Sequence, residues 1–224
     1  MLRERVLTIR RSERRLEDRY VLACGMIVGC IVAFSVLSDG KIGRLIVVAM
    51  EGLTLIVILR ASQARPRTVQ VVSGMTLAAL VVVGLSSTAG GTLALVAPGV
   101  LGATLALIAP VVIVRRLAQR ATVDVMTIAG ALSIYLLVGL FFAFLYWTIG
   151  AIQGNFFAQQ TVVDGTDYVY FSFVTLTTTG FGDLTAGHDL GRMLAVLEAL
   201  FGQLYLVSVV ALLVSNIGNA RRTR

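Results

Sequence analysis

The apolar residues of this chain are concentrated in six segments that are each about long enough to cross a membrane. The segments lie near residues 20–37, 42–59, 68–85, 92–114, 127–149 and 190–216. An α-helix needs about 20 apolar residues to cross a hydrocarbon core roughly 30 Å thick. With 57% hydrophobic and only 14% charged residues, the 224-residue chain has too little charge for a soluble protein. The sequence therefore predicts an all-α membrane protein with six transmembrane helices.

The basic residues predict how these helices are oriented. Seven of the 19 lie within residues 3–19, and three lie in each of the ranges 60–67, 115–120 and 221–224. Each cluster borders an apolar segment, whereas the connections at 38–41 and 86–91 are nearly free of positive charge. Because basic residues stay on the cytoplasmic side, six crossings place every cluster and both termini there. Apolar segments of bilayer length separate the clusters, so we expect membrane lipids and no nucleic acid as partners.

The stretch between residues 150 and 191 departs from this pattern. A polar loop precedes a helical stretch at 167–176, for which Thr166 or Asp167 is a suitable N-cap. The stretch is too short to cross a bilayer and is predicted to be a re-entrant helix. Non-helical backbone follows it, and such backbone is tolerated at membrane depth only where it lines an aqueous path.

The residues that follow the re-entrant helix carry the motif that indicates a function. The potassium channel family has a filter signature that closely resembles the run Thr175-Leu176-Thr177-Thr178-Thr179-Gly180-Phe181-Gly182-Asp183. The resemblance covers residues 127–216 and implies an outer helix, a pore helix, a filter loop and an inner helix. It further implies a homotetramer that conducts potassium passively and needs no cofactor beyond the ions in its filter. No nucleophile–base set or metal cluster indicates an enzyme.

The spacing of this motif has a physical reason. A potassium ion gives up its water only where a similar number of oxygens replaces it. Consecutive carbonyls point to one axis only if the backbone alternates in hand, which Gly180 and Gly182 tolerate because they lack a Cβ. By resemblance, the ion ligands are the carbonyls of Thr178, Thr179, Gly180 and Phe181, with the Thr178 hydroxyl at the inner site.

Several neighbouring residues are expected to support the filter, although two of them depart from the family pattern. Phe181 stands where the family usually has Tyr, and Phe171 stands where many relatives have Trp. The hydrogen bonds that usually tether the filter from behind are therefore expected to be partly missing. A bond from Tyr170 to Asp183 could replace one of them. Val174 occupies a position that is Glu in some relatives and Val in others.

The last apolar segment resembles the inner helix of many prokaryotic channels. Glu198 is expected behind the filter, where its position in the membrane requires a hydrogen-bonded partner such as the Thr175 hydroxyl. Gly202 is located where the family has a gating hinge, and close packing against a neighbouring helix is an equally good interpretation. The residues expected to line the lower pore are Leu206, Val210 and Val214.

The first four segments resemble the sensor domain of voltage-gated relatives but lack its charges. The fourth segment, 92–114, contains no charged residue and includes Pro98 and Pro110. Glu51 is the only ionisable residue deep within these four segments, and we expect it to be protonated or hydrated because no basic partner is available. Opening is therefore expected to be independent of voltage.

These observations divide the chain into four parts. They are a basic cytoplasmic segment at 1–19, a four-helix domain at 20–114, a cytoplasmic linker at 115–126 and a pore domain at 127–217. No ligand-binding cytoplasmic domain is expected after the last helix, and the Arg-rich, Lys-poor composition suggests the plasma (inner) membrane of a bacterium. Two alternatives stay open, namely a non-conducting accessory or scaffold subunit and a weakly selective cation channel.

Overall fold

Each of the predicted apolar segments coincides with one α-helix in a computed structural model, which describes residues 21–37, 40–61, 65–89, 92–117, 125–159 and 163–222. The helices are α1 (Val21–Leu37), α2 (Lys41–Ala61), α3 (Pro66–Ala89), α4 (Leu93–Leu117), α5 (Val125–Gln153), α6 (Gly165–Leu176) and α7 (Asp189–Arg222). Five of these, α2 to α5 and α7, are long and apolar enough to cross a membrane, and α1 is a shorter apolar helix. The all-α prediction is thereby confirmed. The segment at 1–19 and most of the linker at 115–126 lie outside the described residues.

In the first part of the chain, residues 21–117, the helices α1 and α4 pack against α5. The largest buried cluster is formed by apolar residues from five helices, among them Ile27 of α1, Leu55 of α2, Val72 of α3, Leu105 of α4 and Ile134 of α5. Gly102 lets α4 approach α5 closely, since a Cβ at this position would lie only 2.7 Å from the Phe144 ring. The helix α3 packs at the periphery against α2 and α4.

The short helix α6 lies between α5 and α7 and begins earlier than predicted. Its N-cap is Asp164, whose side chain accepts hydrogen bonds from the amides of Thr166 (2.8 Å) and Asp167 (3.2 Å). The Asp167 carboxylate in turn accepts from the Asp164 amide at 3.1 Å, which completes a capping box. The predicted caps, Thr166 and Asp167, were therefore wrong. With 12 residues the helix is about 18 Å long, too short to cross a bilayer.

An aromatic cluster holds the loops on either side of α6 together. Phe156 and Phe157 pack against Tyr146 of α5 and against Tyr168 of α6. The loop residues also pair across the gap, since the Ala158 amide donates to the Thr185 carbonyl (2.8 Å) and the Gly187 amide donates to the Phe156 carbonyl (2.9 Å). The segment between α6 and α7 is thus anchored at the end that precedes α7.

Candidate ion-conduction site

The backbone alternates in hand as it leaves the end of α6. The φ angle is +56° at Thr178, +54° at Gly180 and +81° at Gly182, whereas Thr179 and Phe181 between them have the ordinary negative φ. The two glycines adopt this hand without strain. A β-branched residue rarely does, so the positive φ of Thr178 was not foreseen from the sequence. Strained backbone of this kind is concentrated at functional sites.

The hydrogen bonds of this segment determine where its carbonyls point. The amides of Thr178, Thr179 and Gly180 donate to the carbonyls of Thr175 and Val174, over 2.9 to 3.3 Å. Each amide shares a planar trans peptide with the preceding carbonyl, and the two groups point in opposite directions. Because the amides face the last turn of α6, the carbonyls of the three preceding residues, Thr177, Thr178 and Thr179, face away from it. The segment therefore presents a row of oxygens on its free side.

A pair of threonine hydroxyls connects this segment to the last turn of α6. The Thr177 hydroxyl donates to the Phe173 carbonyl at 2.7 Å and lies 2.9 Å from Thr179 Oγ1. All five residues from Thr178 to Gly182 are exposed in the single chain. The role of the Thr178 hydroxyl as an inner ion ligand stays a prediction.

A second hydrogen bond secures the upper end of the segment. The Tyr170 hydroxyl donates to Asp183 Oδ2 at 2.7 Å, as the sequence indicated. This bond is the main cause that raises the pKa of Tyr170 above its ordinary value. The Tyr170 ring is also nearly parallel to that of Phe181, with centroids 6.3 Å apart. Phe171 is directed elsewhere, into the buried aromatic cluster, 5.2 Å from the Tyr146 ring.

Glu198 connects the three helices behind this segment. Its side chain is fully buried; it accepts from the Tyr146 hydroxyl of α5 at 2.7 Å, and Ser172 Oγ of α6 lies 2.6 Å from its other oxygen. The prediction that Thr175 is the partner of Glu198 was wrong. The observed partner on α6, Ser172, is a hydroxyl residue as Thr175 is. Ser172 lies on a similar face about one turn earlier, and the relative height of α6 and α7 decides between the two.

Comparison with known proteins agrees with this geometry. The chain matches the ion channel family over residues 125–219. This part of the chain is an ion channel domain. A curated protein of Methanocaldococcus jannaschii, "Probable potassium channel protein 2", is 42% identical over 57 residues, which covers 23% of this chain and 17% of that protein. The match thus covers only a small part of this relative. No solved structure matches the chain significantly.

Gly202 lies where α6 and α7 pack closely together in the channel domain. A Cβ added there would overlap the carbonyl oxygen of Leu176, the last residue of α6. The same carbonyl accepts a hydrogen bond from the Tyr135 hydroxyl at 3.2 Å. The helix α7 is continuous through this point, so the observed role of Gly202 is close packing. A hinge function stays a prediction.

The residues predicted to line the lower pore are only partly described. Leu206 and Val210 have 43% and 55% of their surface exposed in the single chain, and the side chain of Val214 lies outside the described residues. Their exposure leaves them free to face either a pore or a neighbouring subunit.

Outside the channel domain, Glu51 of α2 is the notable polar side chain. Its carboxyl group is 3% exposed, and neither of its oxygens has a hydrogen-bond partner among the described residues. It borders a cavity of about 10 Å³ that Cys30 and Thr54 also line, which is near the smallest volume that holds one water. The protonated or hydrated state of Glu51 stays a prediction.

Proposed function

We propose that this chain is the subunit of a homotetrameric, potassium-selective channel that conducts passively across the plasma membrane. The observation that carries the proposal is the row of carbonyls directed away from α6, on a backbone that alternates in hand. Such a row can replace the hydration shell of an ion only if several copies surround it. Among the proposed ligands, the carbonyls of Thr178 and Thr179 belong to this row. The family resemblance adds the carbonyls of Gly180 and Phe181 and the Thr178 hydroxyl, and it implies four copies.

The surface of α7 supports assembly around a central axis. Only 11% of the most apolar stretch of α7 is buried in the single chain, compared with 67% of that of α5. Large side chains such as Met193, Leu200, Leu204 and Val207 are more than half exposed. In a tetramer, these side chains would contact neighbouring inner helices and the pore.

The arrangement of acidic residues favours potassium over sodium or calcium. Filters that select those ions use rings of carboxylates. Here Asp183 follows the filter segment and bonds Tyr170, and Glu198 is buried behind the segment. A weakly selective cation channel and a non-conducting scaffold are the outcomes against which the proposal is tested.

The described part of α4 supports opening that is independent of voltage. The helix carries no charged residue before Arg115, and Pro98 and Pro110 lie within it. A charge that crosses the whole membrane field contributes about 2.3 kcal/mol per 100 mV, and steep gating requires several of them in each subunit. We further propose that Arg115 lies at the cytoplasmic end of α4, on the side of both termini.

The decisive experiment measures the reversal potential of the purified chain in planar bilayers under opposed potassium and sodium gradients. We expect it to follow the potassium gradient, whereas a value near zero would mean a weakly selective pore, and no current would favour a scaffold. The variant Gly180→Ala should lose selective current, because a Cβ in the left-handed region costs about 1–2 kcal/mol in each chain.

A matched control separates the role of the filter from that of backbone strain. Gly154 also has positive φ (+80°), and no atom of the described residues lies within 4 Å of a Cβ added there. Gly154→Ala introduces a similar strain in the outer loop, so selectivity should be unchanged. Equal loss of selectivity in both variants would argue against residues 178–182 as the filter.

A further inference from the structure

A large apolar cleft opens between α4, α5 and α7. It has a volume of about 580 Å³, which is ample for a small ligand. Its walls on α4 are half exposed, with 53% of Leu107, 47% of Val111 and 50% of Val114 accessible. The facing walls come from α5 and α7 and include Phe141, Phe142 and Phe201.

The cleft has a single cation at one end. Arg115 lines it one residue after Val114, and its side chain is exposed. From Leu107 to Arg115 the helix rises by about 12 Å, which is most of the depth of one leaflet in a hydrocarbon core roughly 30 Å thick. An apolar cleft that runs most of one leaflet and ends at a positive charge has the length and polarity to hold one acyl chain and the headgroup of a phospholipid.

We infer that this cleft binds an anionic phospholipid, with an acyl chain between α4, α5 and α7 and the headgroup phosphate at Arg115. The guanidinium group suits a phosphate because it presents a planar fork of donors. An apolar helix from a second copy could fill the cleft, but it would leave Arg115 without an anion. The inference requires only that the chain spans a membrane, so it does not depend on potassium selectivity.

The test measures lipids that stay bound to the purified protein. The chain is reconstituted in nanodiscs of equal phosphatidylglycerol and phosphatidylcholine, released into detergent, and examined by native mass spectrometry. The parent chain should retain phosphatidylglycerol in preference to phosphatidylcholine. Arg115→Gln should weaken this retention about fivefold, as expected for one basic residue near an anionic surface. Arg67→Gln, an exposed arginine at the start of α3, removes the same charge outside the cleft and should have little effect.

The apolar part of the site is tested by filling it. Each methylene excluded from an apolar site reduces affinity by on the order of fourfold, so Val111→Trp should reduce retention of phosphatidylglycerol more than tenfold. Val81→Trp, at a similarly exposed position on α3, is the control. Size-exclusion chromatography of each variant verifies that it still assembles.

Three results would overturn the inference. The first is equal retention of phosphatidylglycerol by the parent, Arg115→Gln and Val111→Trp chains. The second is retention of phosphatidylcholine by the parent chain that equals its retention of phosphatidylglycerol, which would show that the headgroup charge has no role. The third is efficient disulfide cross-linking between copies that carry Val111→Cys, which would identify the cleft as a contact between subunits.

Discussion

Replacing Gly202 with alanine probes the contact between α6 and α7 at the point where the filter segment begins. The added Cβ would overlap the carbonyl oxygen of Leu176 and lie 3.0 Å from its carbonyl carbon and from its Cδ1. The first two atoms belong to the backbone, so they cannot turn aside as the end of a flexible side chain does. Either α7 moves outwards or the last turn of α6 is displaced.

The expected magnitude follows from these contacts. Adding a methyl group to a well-packed site costs about 1–3 kcal/mol, and the better helix propensity of Ala offsets at most about 1 kcal/mol. Because the overlap is with backbone, the upper part of the packing range applies, and about 2–3 kcal/mol less about 1 kcal/mol leaves a net loss of roughly 1–2 kcal/mol in each chain. Because the last turn of α6 accepts the amides of the filter segment, displacing it should also reduce potassium current.

A control of opposite sign is available on α3. Within the part of the chain that the structure describes, no atom lies within 4 Å of a Cβ added to Gly84, so Gly84→Ala should stabilise the chain by about 0.5–1 kcal/mol. The assay is the thermal midpoint of the purified assembly, combined with potassium flux into liposomes. A Gly202→Ala midpoint equal to or above that of the parent would refute the packing argument. An unchanged midpoint with altered open probability would support a pure hinge.

Three further predictions concern the filter segment and the first four helices. Tyr170→Phe removes the hydroxyl that donates to Asp183 and should hasten the decay of current during prolonged opening; an unchanged decay would show that this bond does not support the filter. The pKa of Tyr170 is raised in the folded chain. The difference in current decay between parent and variant should therefore persist up to about pH 10, the ordinary pKa of tyrosine, and disappear only as the pH rises through the raised pKa of Tyr170. Phe181→Tyr should slow the loss of current at low potassium, because Phe181 has no donor with which to tether the filter; a parent current that never declines at low potassium would leave this idea without support. Open probability measured between about −100 and +100 mV should vary by the equivalent of fewer than roughly two charges per tetramer, and a steep sigmoidal dependence would contradict the proposal that opening is independent of voltage.

The sequence by itself determined the membrane helices and the place of residues 178–182, the segment that we propose as the filter. A stretch of about 20 apolar residues enters a hydrocarbon core whatever its neighbours are, so the predicted segments and the observed helices agree. The filter motif is equally local, because Gly180 and Gly182 supply the positive φ within their own residues. The hydrogen bond between Tyr170 and Asp183 could also be predicted from the sequence, since both residues flank the same short segment.

Only the tertiary structure decided how the helices face one another. The Ser172 and Tyr146 partners of Glu198, the contact of Gly202 with Leu176, and the position of Phe171 all depend on the rotation and height of α5, α6 and α7. The sequence gives only a weak indication of this rotation and height because these helices are apolar on nearly every side. A helix without a polar face does not reveal which side packs inwards. Such contacts join residues that are 26 (Ser172 and Glu198) to 52 (Tyr146 and Glu198) positions apart, so they are set by that packing and no local pattern encodes them.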